Sequence, residues 1–374
     1  MITPADEFPI HQAPLPIAWP TTSDRNFYDR SYLCAHDRSG EIFVVIGVGY
    51  YPVLGVKDAF LLVHRGGETD TQTAVQLSAA MDDDRLHQRV GPLAIEVVDP
   101  LKSLRVTLAE TDGIAAELTW TGLFDVVQEQ RHLMRQGTRV TLDAQRFAQV
   151  GSWSGRLVVD DDEFTVDPAT WIGTRDRSWG IRPVGEAEPA GRPADPPFEG
   201  MWWLYVPMAF DDFGMVLIIQ EDPSGFRTLN DCTRIWRDGR VEQLGWPRVR
   251  IHYRSGTRRP TGATIDATAA DGSPVTIEVD GTLGTPLHVG GGYGGDPDWS
   301  HGQWRGDGFA ARVTYDLDDP AVAGRIPFGV IDHVGHAVCR EADGTEREGW
   351  GMFEHASFGR HDPSGFADWG AVAP

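Results

Sequence analysis

Basic residues are scarce in this chain: 33 Lys and Arg stand against 55 Asp and Glu, for a formal net charge of −22. Nucleic acid is therefore a poor partner, because phosphate binding needs a basic face. Docking on anionic lipid headgroups is disfavoured for the same reason. Cysteine is nearly missing; Cys34, Cys232 and Cys339 are scattered, with no CxxC pair. That excludes a disulfide framework and a thiolate zinc site, and it suits a reducing compartment. Long apolar runs are also lacking. The longest are broken within about ten residues, too short to cross a bilayer. The opening MITPADEFPIHQ has neither a basic start nor an apolar stretch, so a secretory leader is not expected. These absences together point to a cytoplasmic protein with no stable membrane insertion. A homo-oligomer is left open.

Helical periodicity is the remaining gap. Short helical pieces are expected only near Thr73–Met81, Phe124–Met134 and Pro320–Ile326. What fills the chain instead is strand-like segments separated by turn signals such as Asp112-Gly113, Asp238-Gly239, Asp271-Gly272 and Asp343-Gly344. Asp-Gly between alternating segments favours tight type I′ turns. Ala263, Ile265 and Ala267 share one face of their segment and Thr264, Asp266 and Thr268 the other. Val275, Ile277 and Val279 alternate in the same way with Thr276, Glu278 and Asp280. One apolar and one polar face means antiparallel sheets solvated on one side. So many strands must close or stack to hide their edges. The expected class is all-β. At 374 residues the chain is longer than one core usually holds, so two domains are expected. We place the change near 160–175, as 1–165 and 166–374, with the Pro-rich 184–197 as a surface loop.

The segment WIGTRDRSWG, Trp171 to Gly180, concentrates chemistry: an aspartate among arginines and indoles. A carboxyl against apolar walls has its charged form disfavoured and becomes a proton donor. A carboxylate bridged by arginine becomes a structural clamp instead. On a strand, Arg175 and Arg177 share one face, while Asp176 points the other way with Thr174 and Ser178. Its sequence neighbours are therefore not its natural partners. Tryptophan is abundant, with 13 in the chain. In MWWLYV, Trp202 and Trp203 are adjacent, so one faces in and the other out. Indoles can line an apolar ligand cavity or simply fill barrel cores.

Other motifs carry less. His333 and His336, three apart on a strand, face opposite ways, and no acidic ligand completes a metal site. His355 follows Glu354 in GMFEH. The glycine-rich HVGGGYGG, His288 to Gly295, lacks a following Lys-Ser/Thr and a helix pattern, so it is no phosphate loop. A lid, or backbone approaching a ligand, is the better reading, with Tyr293, His301 and Trp304 in reach of a cavity. No GxSxG elbow occurs.

The W-x4-D-x2-W-G element (Trp171, Asp176, Trp179, Gly180), the GMWWLY strand and the late GWGMFEH strand resemble the carotenoid 1,2-hydratase (hydroxyneurosporene synthase) and AttH-like group, which includes lipocalin-like Diels–Alderases. The resemblance implies two consecutive lipocalin-like antiparallel β-barrels packed together. It also implies cofactor-free chemistry on hydrophobic, terpenoid-, steroid- or polyketide-like molecules. In the hydratases an aspartate of a D-H-E-W-like motif is proposed to protonate the alkene. Asp176 matches it, with Arg177 and Ser178 where His and Glu would stand. The expected function is acid-catalysed hydration or dehydration, isomerisation or cyclisation, needing no metal or cofactor. Asp176 is the expected acid, and Arg177 and His355 are expected to position it or the ligand. Trp171, Trp179, Trp202, Trp203, Tyr205, Tyr293 and Trp304 are the candidate walls. The competing reading is a non-catalytic carrier of a lipophilic metabolite. A cavity-facing carboxylate with no arginine in salt-bridge reach favours the enzyme; an arginine clamp favours the carrier.

Overall fold

The computed structural model describes residues 7–9, 20–67, 70–184, 196–294 and 296–374. Most of the 184–197 segment, the N-terminal stretch and Gly295 lie outside them. Among the described residues the molecule is nearly all strand, in two antiparallel sheets. The first curls into a near-closed barrel and the second into half a barrel, as expected for two lipocalin-like units.

Three consecutive hairpin strands, Phe27–His36, Ile42–Tyr51 and Val56–Arg65, are buried on both faces almost throughout. One face, with Leu33, Ile46 and Leu61, fills the first barrel around the edge-to-face pair Trp120–Trp153. The opposite face, with Tyr32, Phe43 and Phe60, packs against Tyr205, Ile218 and Met352 of the second sheet. A third core fills the second unit, built on Leu204, Leu217, Ile265, Ile277 and Phe353. The predicted alternation holds there: Ala263, Ile265, Val275, Ile277 and Val279 are all buried, while Asp266 and Thr268 are exposed.

The sheets do not part at 165/166. The strand Ile172–Ile181 pairs with Phe27–His36 on one side and Arg139–Val159 on the other, so it belongs to the first sheet. The strand Phe309–Asp316 also returns to that sheet, pairing with Thr71–Ala80. Close approach explains the glycine that ends WIGTRDRSWG. Gly180 has φ +133°, and a Cβ there would lie 1.9 Å from Asp143 O.

Two local expectations are corrected. Thr71–Ala80 is a strand rather than a helix, because it is sandwiched between two partners and buried along most of its length. Its Ala, Gln and Leu favour helix, and tertiary pairing overrides that preference. The stretch near Phe124–Met134 holds the strands Val127–Gln128 and His132–Gln136. Only the third piece is helical, as Pro320–Ala323 followed by a 3-10 turn at Ile326–Phe328. Among the Asp-Gly turns, Asp112-Gly113 has both residues at positive φ, 47° and 85°. At Asp238-Gly239, Asp271-Gly272 and Asp343-Gly344 only the glycine does. There each Asp Oδ1 accepts the N–H two residues on, at 2.9 Å. That bond holds a type I turn closed by a left-handed glycine rather than type I′.

Candidate active site

Where the two sheets face each other a cavity of about 370 Å³ opens, within the range of small-molecule sites. Three neighbouring strands of the first sheet build one wall by simple alternation. Phe27–His36 presents Tyr28, Arg30 and Tyr32; Arg139–Val159 presents Ala144 and Arg146; Ile172–Ile181 presents Asp176 and Ser178. In register, Ser178 lies between Arg30 and Arg146, and Asp176 lies opposite Tyr32. The second sheet supplies Trp203, Tyr205 and Glu354, and the glycine-rich segment closes over them with Tyr293 and Gly294. That segment is built as a backbone turn: Gly290 and Gly292 both donate their N–H to Asp296 Oδ2.

Asp176 is the carboxyl on this wall, and no described residue forms an ion pair or hydrogen bond with it. Burial raises its pKa, against the opposing pull of Arg146, then Arg30 and Arg182. The arginine that would clamp it is already committed, since Arg146 Nε is ion-paired with Glu129. Glu129 is pushed up to about 7 by burial, with Arg146 opposing and Asp176 adding to the rise. Arg146 also lies 4.7 Å from the centre of the Tyr205 ring.

A second acidic centre sits opposite. Asp332 and Glu354 face each other across paired strands. Tyr32 donates its hydroxyl to Asp332, and Trp203 donates its indole N–H to Glu354. Burial raises both carboxyls, and for Asp332 the Glu354 charge adds to it. Two adjacent buried carboxyls cannot both ionise cheaply, so the pair holds a shared proton. Of the two, Glu354 lines the cavity. His132 stacks on Trp203 at 6.2 Å and is pulled down to about 4 by burial and then by Arg146, so it is neutral.

The other residues singled out in the sequence fall elsewhere. Arg177 stands on the opposite face of its strand, with Nη2 2.7 Å from Asp29 Oδ1 and Nη1 2.7 Å from Ser31 Oγ. Arg175 on that same face holds Glu7 at 2.5 Å. His355 is one residue away from the cavity-lining Glu354. Its Nδ1 contacts Trp203 O at 2.6 Å and its Nε2 contacts Tyr253 OH at 2.8 Å. Burial holds it down at about 3. Trp171 is packed in the first core, and Trp202 lies in the second-unit core beside His355 and His361. Trp179 does not line the cavity, and Trp304 is 52% exposed. The cavity therefore brings together Asp176, Trp203, Tyr205 and Tyr293. It adds Arg30, Arg146, Arg182, Glu129, Tyr32 and Glu354, none of which the sequence reading proposed as a site residue. One signal for some of them existed: Tyr28, Arg30 and Tyr32 sit at alternate positions and so share one face of their strand. Among the described residues no cluster of three His, Cys, Asp or Glu is placed to hold a metal ion, and no helix is long and apolar enough to cross a membrane.

A family model described as a family of unknown function, DUF8625, matches residues 2–367. The chain belongs to this family. No curated protein matches this DUF8625 member in sequence. Its fold is shared with solved structures of low identity, the following two among them. Kievitone hydratase from Nectria haematococca is 12% identical, superposes over 97% of this chain and 95% of its own, and has a TM-score of 0.50. An AttH protein from Nitrosomonas europaea is 12% identical, superposes over 90% of this chain and 94% of its own, and has a TM-score of 0.51. The resemblance read from the sequence thus holds at the level of fold.

Proposed function

We propose that the protein is a cofactor-independent enzyme that protonates a carbon–carbon double bond in a hydrophobic small molecule bound between its two sheets. One observation carries this reading. Asp176 faces a largely apolar cavity, has no ion-pair partner within 4.0 Å among the described residues, and is held toward its protonated form by burial. A carrier needs no such group. A clamped Asp176 would have favoured the carrier, and the clamps lie on the other face of the strand.

In the forward direction the Asp176 carboxyl gives its proton to one alkene carbon, and the adjacent carbon becomes electron-deficient. Trp203 and Tyr205 present ring faces to it. Water then adds through oxygen and returns a proton to Asp176, giving hydration. Loss of a proton from a neighbouring carbon gives isomerisation instead, and the reverse of the first path is dehydration. The Asp332–Glu354 pair, sharing one proton between two carboxyls, offers a carboxylate opposite Asp176 that can accept the proton released in the return step. The name kievitone hydratase, borne by a protein of the same fold, agrees with hydration within this set.

The test begins with native mass spectrometry of protein purified from its own host, to identify a bound ligand. That ligand is then incubated with the enzyme in D2O. Carbon-bound deuterium in the product or recovered substrate is expected, and Asp176→Asn removes it while ligand binding persists. Unchanged deuterium uptake in Asp176→Asn rules out the acid; a ligand that binds but never exchanges or reacts supports the carrier.

A further inference from the structure

Three guanidiniums line this cavity, and among the described residues a carboxylate in contact matches one of them. Arg146 has Glu129. Arg30 is 4% exposed, and its Nε has no hydrogen-bond partner. Its Nη2 lies 3.3 Å from His301 Nε2, but that nitrogen also lies 2.7 Å from Gly291 O. A proton on His301 Nε2 is needed to bond the carbonyl, so Nε2 cannot accept one from Arg30. Arg30 Nη2 therefore faces a donor there, and Arg30 Nε is buried with no hydrogen-bond partner among the described residues. The Asp58 carboxyl attracts it but is already held by Gly302 N–H at 2.6 Å and Tyr51 OH at 3.3 Å. Arg182 makes no ion pair among the described residues. It shares the Tyr293 ring with Arg30, the two guanidinium carbons lying 5.9 and 5.3 Å from its centre.

A buried cation with no carboxylate in contact is incompletely neutralised, and a ligand anion can complete it. The proposed chemistry makes the same demand. Positive charge developing on a substrate beside three guanidiniums is opposed unless the substrate brings negative charge of its own.

We propose that the cavity takes ligands bearing an anionic oxygen, a carboxylate, phenolate or enolate, seated at Tyr293 between Arg30 and Arg182, with the apolar body against Trp203 and Tyr205. This rests on reading the cavity as a site for a hydrophobic small molecule. An anion in that position also favours the protonated form of Asp176, so ligand binding keeps the proton on the carboxyl that delivers it.

The experiment is titration calorimetry of the full chain at pH 7 with two probes of one shape, 2-naphthoate and its methyl ester. The acid is expected to bind at least tenfold more tightly. Arg30→Met and Arg182→Met should each remove most of that preference and leave ester affinity unchanged, which also reports an intact cavity. Arg182 is partly exposed, so Arg182→Met decides the matter if Arg30→Met does not fold. Equal affinity for acid and ester, or a preference surviving both substitutions, overturns the anion site while the apolar-ligand reading stands. Binding of neither probe at millimolar concentration overturns both.

Discussion

On one face of the strand Ile172–Ile181, Arg175 and Arg177 are ion-paired with Glu7 and Asp29, and Gln149, Ser31 and Gln88 accept further hydrogen bonds from them. On the other face, one residue away, Asp176 meets a cavity and three arginines that stop short of pairing with it. The residue types are the same on both sides. The difference is whether each charge has a partner in contact. A buried charge held by an ion pair is mechanically fixed, and breaking such a pair is costly. A carboxyl shielded from water and without a partner is held toward its protonated form and is placed to deliver the proton. Clamp and acid thus coexist on one strand because alternation sends neighbours to opposite environments.

The sharpest way to break this comparison is Asp176→Asn. Loss of a general acid lowers turnover by about 10²–10⁴-fold, while thermal stability and ligand affinity should hold, because the change is isosteric. Activity assays beside calorimetric binding read both quantities. Arg177→Met probes the clamp face. Breaking the buried Arg177–Asp29 ion pair should cost about 3–5 kcal/mol in urea unfolding, with turnover per folded molecule unchanged. Loss of activity at full stability in that variant would mean the two faces are not separate.

Titration gives a third contrast. Glu129 is raised from 4.5 to about 7 in the folded protein, so the folded state binds more protons than the unfolded one between those values. Its contribution is complete below pH 4.5 and is lost as pH rises through about 7. Asp58, raised to about 6, acts with the same sign. Urea midpoints should therefore fall from pH 4.5 to 7 and level off above. Glu129→Gln should flatten that slope by up to about 3 kcal/mol; an unchanged slope would show that Glu129 does not titrate in this window. The smallest effect belongs to Trp304→Ala. At an exposed position away from the cavity it should move stability by less than about 0.5 kcal/mol and leave ligand affinity unchanged. A clear loss of affinity would extend the site beyond the cavity.

Much of this arrangement is legible locally. The separation of Asp176 from Arg175 and Arg177 follows from a period of two, and so does the rule that Trp202 and Trp203 face opposite ways. Which tryptophan meets the cavity does not follow, because alternation assigns faces without saying what covers them. The same ambiguity separates His355 from Glu354. The histidine looked chemically apt, but its neighbour points at the site, and His355 is spent on Trp203 O and Tyr253 OH. Arg30, Arg146 and Glu129 lie far from Asp176 in sequence and meet it only through strand pairing and the facing of two sheets.

By itself, then, the sequence determined the all-β class, the two-face pattern of each strand and the one carboxylate whose neighbours turn away from it. These depend on local backbone geometry and on the spacing of apolar residues. The tertiary structure decided that Arg146 goes to Glu129, that Arg30 goes unmatched, and that the returning strand Phe309–Asp316 completes the first sheet. Those outcomes depend on which distant segments share a dry interior, where the strength of a charge is set by contacts no local pattern encodes.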